Sequence, residues 1–558
     1  MDYNYLADLL FPDVTLTSAD MEARYPRRQL PEGAKVTRFA PSPTGYVHFG
    51  GLFPTTVSER LAHQSGGVFY LRIEDTDAKR EVPGAKEALI NTLAHYGIVF
   101  DEGAVIGGDK GDYGPYTQSM RREIYHVYAK QLVRDGRAYP VFTTEEELAA
   151  MNAVDKKAEV KAKDWHADDG AQREEMLKWR EFTIEEVEAH LKAGHPFVLR
   201  MLSDGDPNKK IKVTDLVRGT LEIPENDRDE VLLKSDGIPS YHFAHAVDDH
   251  LMGTTHVVRG EEWLPSLARH LMLFRFLGFK PPKYLHIAQL LTTAVDEDGK
   301  TVKKKLSKRD MGANLDDYER LGYDPICVNE YVMTLLNSNY EEWHAANPDK
   351  SSRDFEFSVK KMSVSGCLFD MNKLDDVSKN MVSRMTADEV YEKTLAWAEK
   401  FDPEFAGILK AHADTARAAL GIGRGGAKPR KDIARFDEVR GYIGFMFDEL
   451  FERRDEVPDN FDKADVAAAV TKYIDIYDDN DDQTAWFDKI KSLAADLGFA
   501  PETKLYKKNP TEYKGHVGDI SMFLRIAVTG RASSPDMYEV MQILGADTVK
   551  RRLADYVK

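Results

Sequence analysis

Apolar and polar positions along the first hundred residues change period several times. Tyr3 to Leu10 reads as a short helix, followed by proline-punctuated coil to Gly33. Val36 to Phe39 is a β-prone run, and Pro41, Ser42, Pro43, Thr44 and Gly45 end it in a stiff turn. Phe53, Val57 and Leu61 then recur at i, i+4 and i+8, the spacing of one helix face, with Glu59, Arg60 and Gln64 on the other and Pro54 in the first turn. Gly66 and Gly67 stop that helix. Val68 to Ile73 is a nearly unbroken apolar run of the kind a buried parallel strand needs. The pattern predicts a strand, a helix and a second strand parallel to the first.

Further along, helices are expected at Ala85–Tyr96 and Arg121–Arg134, with a loop at Asp109–Tyr116. Thr144 to His195 turns strongly polar and helical, which marks an insertion. Phe197–Leu202, Val213–Gly219 and Val231–Lys234 alternate or run apolar between turn residues and predict a small sheet closing it. Thr255–Arg259 reads as a central strand and Leu285–Leu291 as another apolar run. Beyond Asp310 the strand signals fade, and helices are expected at Val328–Leu336, Ala387–Lys400, Phe405–Leu420, Asp432–Phe451 and Lys463–Tyr477. The fold class is therefore an α/β, Rossmann-like parallel-sheet domain with an α+β insertion, followed by an all-helical carboxyl-terminal half.

At 558 residues and 42% hydrophobic content the chain has material for three to four domains. It has no apolar run long enough to span a bilayer, and its first residues, with Asp2 and Asp8, lack the form of a signal peptide. Two cysteines, Cys327 and Cys367, exclude a disulfide scaffold and suit a reducing cytoplasm. A net charge of -18 argues against nucleic acid as a partner, but binding needs only a local basic track. Three tracks occur: Lys303, Lys304, Lys305, Lys308 and Arg309; Arg424, Lys428, Arg430 and Lys431; and Lys504, Lys507, Lys508 and Lys514.

Candidate chemistry gathers where the first strand ends. Ligands of an open parallel sheet bind beyond the carboxyl ends of its strands, which collects Arg38, Ser42, His48 and Glu74. Gly50 and Gly51 let the main chain approach a bulky ligand, and a helix opening after them offers unpaired N–H groups to phosphate. Two motifs are decoys. Gly421, Gly423 and Gly426 spell GxGxxG, but a helix precedes them where dinucleotide binding needs a strand. The run from Asp475 to Asp482 lacks the glycine and closing glutamate of a calcium loop.

The wording R-F-A-P-S-P-T-G-x-x-H-x-G-G followed by L-R-I-E-D-T-D, from Arg38 to Asp77, resembles the first signature region of glutamyl-tRNA synthetases, a subgroup of class I aminoacyl-tRNA synthetases. His48, Phe49, Gly50 and Gly51 stand at the "HIGH" signature, with Gly51 in place of its last histidine. Lys305-Leu306-Ser307-Lys308-Arg309 resembles the second signature, "KMSKS", and 260 residues separate His48 from Lys308. Pro239 to Trp263 also resembles this family. D-L-V-R-G at Asp215–Gly219 and L-L-K-S-D-G at Leu232–Gly237 resemble its acceptor-end-binding insertion. The stretch from Phe523 to Leu544 resembles the helical anticodon-binding domain of the bacterial type. On this resemblance residues 1–35 are an extension, 36–115 and 236–310 the catalytic domain, 116–235 the insertion, 311–400 a helical stem-contact domain and 401–558 the anticodon-binding domain.

The resemblance implies a ligase that activates L-glutamate with ATP and transfers it to tRNA(Glu), acting as a cytoplasmic monomer and needing tRNA even for adenylate formation. Catalysis would fall to His48, Lys305 and Lys308. ATP would be held by Thr44, His48, Gly50, Gly51, Lys305, Ser307 and Lys308, with Mg²⁺ on its phosphates. Glutamate would be held by Arg38, Ser42, Glu74, Tyr241, His245 and Arg259, two arginines suiting a substrate with two carboxylates. His245 stands where the family more often has asparagine. It is expected neutral between arginines, in contact with substrate or packed facing away from it. No zinc is expected, because the insertion has no cysteine and His166, His190 and His195 are scattered. The rivals are a glutaminyl-tRNA synthetase, against which stand Arg259 and the helical ending, and a catalytically silent tRNA-binding paralogue, against which stand His48, Lys305 and Lys308. A shortened glutamyl-queuosine-type relative is excluded by the long helical half.

Overall fold

The computed structural model describes residues 1–43, 45, 47–77, 82–142, 178–296, 298–306 and 313–558. It divides into two units, Met1–Asp316 with Val332–Phe369, and Asp317–Tyr331 with Asp370–Lys558.

The first unit begins with helices α1 (Tyr3–Leu10) and α2 (Ser18–Arg24). The second of these occupies expected coil. Thr17 and Asp20 start it with a reciprocal capping box, each side chain bonding the other's backbone N–H. Strand β1 (Val36–Phe39), helix α3 (Phe49–His63) and strand β2 (Val68–Leu71) form the expected unit, with β1 and β2 parallel and Arg38 opposite Tyr70. The turn back into β2 has room only for glycine, since a Cβ on Gly67 would lie 1.9 Å from the Lys35 carbonyl oxygen.

Helix α3 differs from expectation in two ways. It opens at Phe49, so Gly50 and Gly51 lie inside its first turn and Pro54 in the second. Its polar face is not solvated: Glu59 and Arg60 are buried. A later segment covers that face. Arg60 donates to the Ser352 carbonyl at 2.6 Å, Gln64 to that of Phe355 at 2.7 Å, and Arg353 pairs with Glu59.

After α4 (Ala85–His95), strands β3 (Glu102–Val105) and β4 (Gly108–Lys110) complete a sheet of order β1-β2-β3-β4. Helix α5 (Arg122–Arg134) receives the amino-terminal extension: Leu6, Ala7, Leu10 and Phe11 share one apolar cluster with Ile124, Tyr128 and Leu132. Lys130 donates to the carbonyls of Phe11 and Val14 at 3.0 and 2.9 Å. The extension is thereby part of the core.

Strands β5 (Ala138–Val141), β6 (Val198–Met201) and β9 (Val231–Leu233) form the small sheet, and α6 (Ile184–Lys192) lies between the first two in sequence. The expected member at Val213–Gly219 is elsewhere. Strands β7 (Lys210–Asp215) and β8 (Gly219–Pro224) make a hairpin that joins β10 (His256–Gly260) and β11 (Lys283–Ile287) in the order β10-β11-β7-β8. The cause is at the end of β7, where Asp215 stands opposite Tyr284 and binds the backbone and ring of His286. The chain entering β10 meets β1 edge to edge, as Thr255 donates its N–H to the Val36 carbonyl at 2.9 Å. Helices α7 (Tyr241–Leu251) and α8 (Leu267–Phe276) flank β10 in sequence. Strands β12 (Leu290–Val295) and β13 (Thr301–Lys305) form a hairpin, and β14 (Cys367–Leu368) runs parallel to β12. Lys305 is the last residue of β13.

The second unit is helical and contains no strand among its described residues. Helices run at Ala387–Phe401, Lys463–Ile476, Gln483–Asp496, Val517–Thr529, Met537–Leu544 and Ala546–Tyr556. The expected helix Phe405–Leu420 is two, Pro403–Ala411 and Ala413–Gly421, parted at His412. The expected helix Asp432–Phe451 reduces to Val439–Ile443 between short 3₁₀ turns, with Gly441 and Gly444 weakening the run. GxGxxG follows the end of a helix, as the decoy reading requires. Among the described residues no helix is long and apolar enough to cross a membrane.

Candidate active site

At the carboxyl ends of β1 and β10 the first unit holds a cleft of about 780 Å³. Of the residues expected at the site, Arg38, Ser42, His48, Gly50, Gly51, Glu74, Tyr241, Arg259 and Lys305 all line it. Thr44, Ser307 and Lys308 lie outside the described residues. His245 is not among the lining residues; its ring stacks behind Tyr241, 6.1 Å between centroids, and 4.5 Å from the His270 ring. Sequence reasoning did not single out Lys234, Glu262 and Trp263, which also line the cleft. Lys234 and Glu262 belong to stretches whose wording was already informative, L-L-K-S-D-G and R-G-E-E-W.

One end of the cleft is built where the head of α3 meets residues 313–314 and Lys305. His48 stands in extended conformation at the head of α3 and forms a β-bridge with Asn314. Phe49 donates its N–H to the Ala313 carbonyl at 2.9 Å, and Gly51 donates to the His48 carbonyl at 2.7 Å. Among the described residues, nothing stands within 4 Å of where a Gly50 Cβ would be. Lys305 approaches from the hairpin, 3.9 Å from Glu262. Among the described residues no three His, Cys, Asp or Glu side chains group as metal ligands.

The other end is an array of buried charges. Asp249, fully buried on α7, receives Arg72 Nη1 at 2.7 Å and Arg38 Nε at 3.4 Å. Burial pushes its carboxyl upward, but Arg38 and Arg72, with His245, hold it well below the usual range. Arg72 also donates to Glu74 at 2.9 Å. Burial raises Glu74 above the ordinary carboxylate value despite Arg72 and Arg38. Arg38 and Glu74 are thus both held from behind by one Arg72–Asp249 pair.

Arg259 is different. It is 6% exposed, and among the described residues no carboxylate pairs with it. Its Nε donates to His286 at 2.9 Å, its Nη1 lies 3.0 Å from His270 Nδ1, and its buried Nη2 has no partner among the described residues. The guanidinium lies over the Tyr284 ring, 4.8 Å from its centroid. The histidines around it are neutral. Burial lowers His270 far below its ordinary value and His286 below it, and His242 falls to about 3 through burial and Arg269. His245 falls to about 4 through burial, with Arg38 and Arg259 acting in the same direction and Asp249 opposing them. The cleft therefore offers a cation end for phosphate and, opposite it, two arginines and a glutamate that together suit a zwitterion bearing an extra carboxylate.

The chain belongs to the class I tRNA synthetases (E and Q): the catalytic-domain model of that family matches residues 35–376, and an anticodon binding domain matches residues 430–557. Within the family its relatives are specific. Glutamate–tRNA ligase of Acetivibrio thermocellus is 49% identical over 99% of both chains, and that of Clostridium perfringens (strain 13 / Type A) is 44% identical over 99% of this chain and all of its own. The crystal structure of glutamate-tRNA synthetase from Elizabethkingia anophelis superposes with a TM-score of 0.69 at 26% identity, covering 94% of this chain and 99% of its own.

Proposed function

We propose that this chain activates L-glutamate with ATP and transfers the glutamyl group to the 3′ end of tRNA(Glu). The observation that carries the amino-acid assignment is Arg259, a buried guanidinium with imidazole neighbours and no carboxylate partner among the described residues, set in the same cleft as Arg38. Glutamine carries one carboxylate where glutamate carries two, so it would leave one of the two arginines without a substrate anion, which costs several kcal/mol when the group is buried. Glu74 and Ser42 receive the ammonium group, and Tyr241 completes the hydrogen bonding.

In the first step an α-carboxylate oxygen attacks the α-phosphorus of ATP, the bond to the bridging oxygen breaks, and pyrophosphate leaves with the electron pair. Two anions must approach each other, so alignment and positive charge decide the rate. His48 and the first turn of α3 hold the triphosphate, and Lys305, with Lys308 beyond it in sequence, stabilises charge moving onto pyrophosphate. Mg²⁺ bound with ATP would supply further neutralisation of the phosphates. In the second step a ribose hydroxyl of the terminal adenosine attacks the glutamyl carbonyl, loses its proton, and AMP departs.

The test is aminoacylation of purified tRNA(Glu) and tRNA(Gln) with labelled glutamate and labelled glutamine. Charging with glutamate, at a kcat/KM for glutamate at least about 10³ above that for glutamine, is the expected result. Charging by glutamine at comparable efficiency, or by neither, would sink the proposal.

A further inference from the structure

We infer that Asp215 and His286 are positioning residues for Arg259: the carboxylate fixes the tautomer of a neutral imidazole, and that imidazole orients the arginine without neutralising it. The inference rests on the proposed role of Arg259 in holding the amino-acid substrate.

Asp215 is saturated with donors. Its Oδ1 accepts from the N–H groups of Val217 and Arg218, each at 2.9 Å, and its Oδ2 from the N–H of His286 at 3.0 Å and from His286 Nδ1 at 2.7 Å. Burial opposes ionisation of Asp215, but its bonds to His286, Arg218 and Val217 prevail and lower its pKa. An ionised carboxylate only accepts hydrogen bonds, so His286 Nδ1 carries the hydrogen and donates it to Asp215, and Nε2 carries the lone pair. That lone pair meets Arg259 Nε at 2.9 Å.

The sheet makes the line straight. His286 stands opposite Arg259 across β10 and β11, and Asp215 opposite Tyr284 across β11 and β7, so acid, imidazole and guanidinium run across three adjacent strands. Asp215, His286 and Arg259 are all buried. Arg218, from the same D-L-V-R-G turn, donates Nε to the His286 carbonyl at 3.1 Å and closes the arrangement.

A carboxylate at position 286 would hold Arg259 more tightly, but it would be the arginine's anion. An imidazole gives direction and no charge. The nearest carboxylate of the line is one ring away, and the guanidinium keeps its demand for a substrate anion. This gives D-L-V-R-G, a motif read from sequence as part of the acceptor-end insertion, a role in the amino-acid pocket.

The test separates this from plain stability with two substitutions of His286. In His286→Asn the amide still reaches Asp215 but falls short of Arg259; in His286→Gln the side-chain oxygen reaches towards Arg259 but the Asp215 contact is lost. In aminoacylation with saturating tRNA, the glutamate KM of His286→Asn should rise about tenfold or more, that of His286→Gln less, and the ATP KM of both should stay within about twofold. In an Arg259→Lys background His286→Asn should add little, because both changes remove the same interaction. Melting temperatures of all variants are recorded alongside. A glutamate KM for His286→Asn within twofold of wild type, an equal rise in the ATP KM, or full additivity with Arg259→Lys would overturn the inference. Failure of the unaltered protein to charge glutamate would instead overturn the activity on which it rests.

Discussion

Replacing His245 by asparagine gives a stability change that should reverse sign with pH. His245 is fully buried, with Nδ1 at ion-pair distance from Asp249, 2.9 Å, though outside good hydrogen-bond alignment, and Nε2 3.1 Å from the Tyr284 hydroxyl. Asparagine is smaller and cannot reach both. The unfilled volume, roughly 40 Å³, costs about 1 kcal/mol, and a lost neutral hydrogen bond adds about 1 kcal/mol. At pH 7.5 the variant should therefore be less stable by about 2 kcal/mol. Acid works the other way. With a folded pKa near 4 against 6.5 for the free side chain, the unfolded chain binds a proton that the folded chain refuses. The neutral histidine's contribution is whole above pH 6.5 and is lost as pH falls towards 4. At pH 5 the loss is about 2 kcal/mol, from 1.5 pH intervals at 1.36 kcal/mol each. Asparagine has no such loss, so the two proteins should converge near pH 5 and cross below it. Thermal melts of the intact chain at pH 7.5, 6 and 5, following the transition of the first unit, measure this, with glutamate KM at pH 7.5 expected within about tenfold of wild type. A deficit that widens on acidification would mean that His245 is a cation paired with Asp249, and would refute the neutral assignment.

Two other substitutions test separate parts of the structure. Gly67→Ala forces a methyl group to within 1.9 Å of the Lys35 carbonyl and should lower stability by about 3 kcal/mol or more, read as a fall in melting temperature; an unchanged melt would show that the junction can open without cost. Lys305→Ala should slow adenylate formation at least about tenfold in single-turnover pyrophosphate release with little change in melting temperature, since its side chain is over half exposed; a normal rate would remove Lys305 from the phosphate chemistry.

What the sequence made legible was local. The change of period from Val36 to Ile73 located the strand, helix and strand, and the residues read as lying beyond the first strand line one cleft. Even α2 could have been found, since T-x-x-D at Thr17–Asp20 is a capping signal. Misreadings arose where a partner lies far away in the chain. Glu59 and Arg60 have the character of a solvated face, and nothing near them in sequence announces that residues 352–357 will cover it. D-L-V-R-G follows a strand of ordinary alternation, and its sheet is decided by His286, 71 residues on. His245 could be placed one turn beyond Tyr241, but which nitrogen meets Asp249 and which Tyr284 is a tertiary fact. The helix expected at Asp432–Phe451 failed for a local reason, as apolar spacing outweighed Gly441 and Gly444 in the reading.

The bond from Phe49 to Ala313 and that from Thr255 to Val36 set an order of assembly during synthesis. Strand β1 leaves the ribosome early but lacks its neighbour on one edge until Thr255 has emerged, and the head of α3 lacks its partner until Ala313 has followed. At about 5–20 residues per second, the 264 residues between Phe49 and Ala313 take roughly 13–50 s. For most of that interval a nascent parallel sheet presents an open edge, and for all of it the head of α3 is unpaired. Contacts of such sequence separation make folding slow once the chain is free. The first unit should thus depend on cellular holding factors during translation more than the helical unit does, and a break in the chain before Ala313 should leave fragments prone to edge-to-edge association.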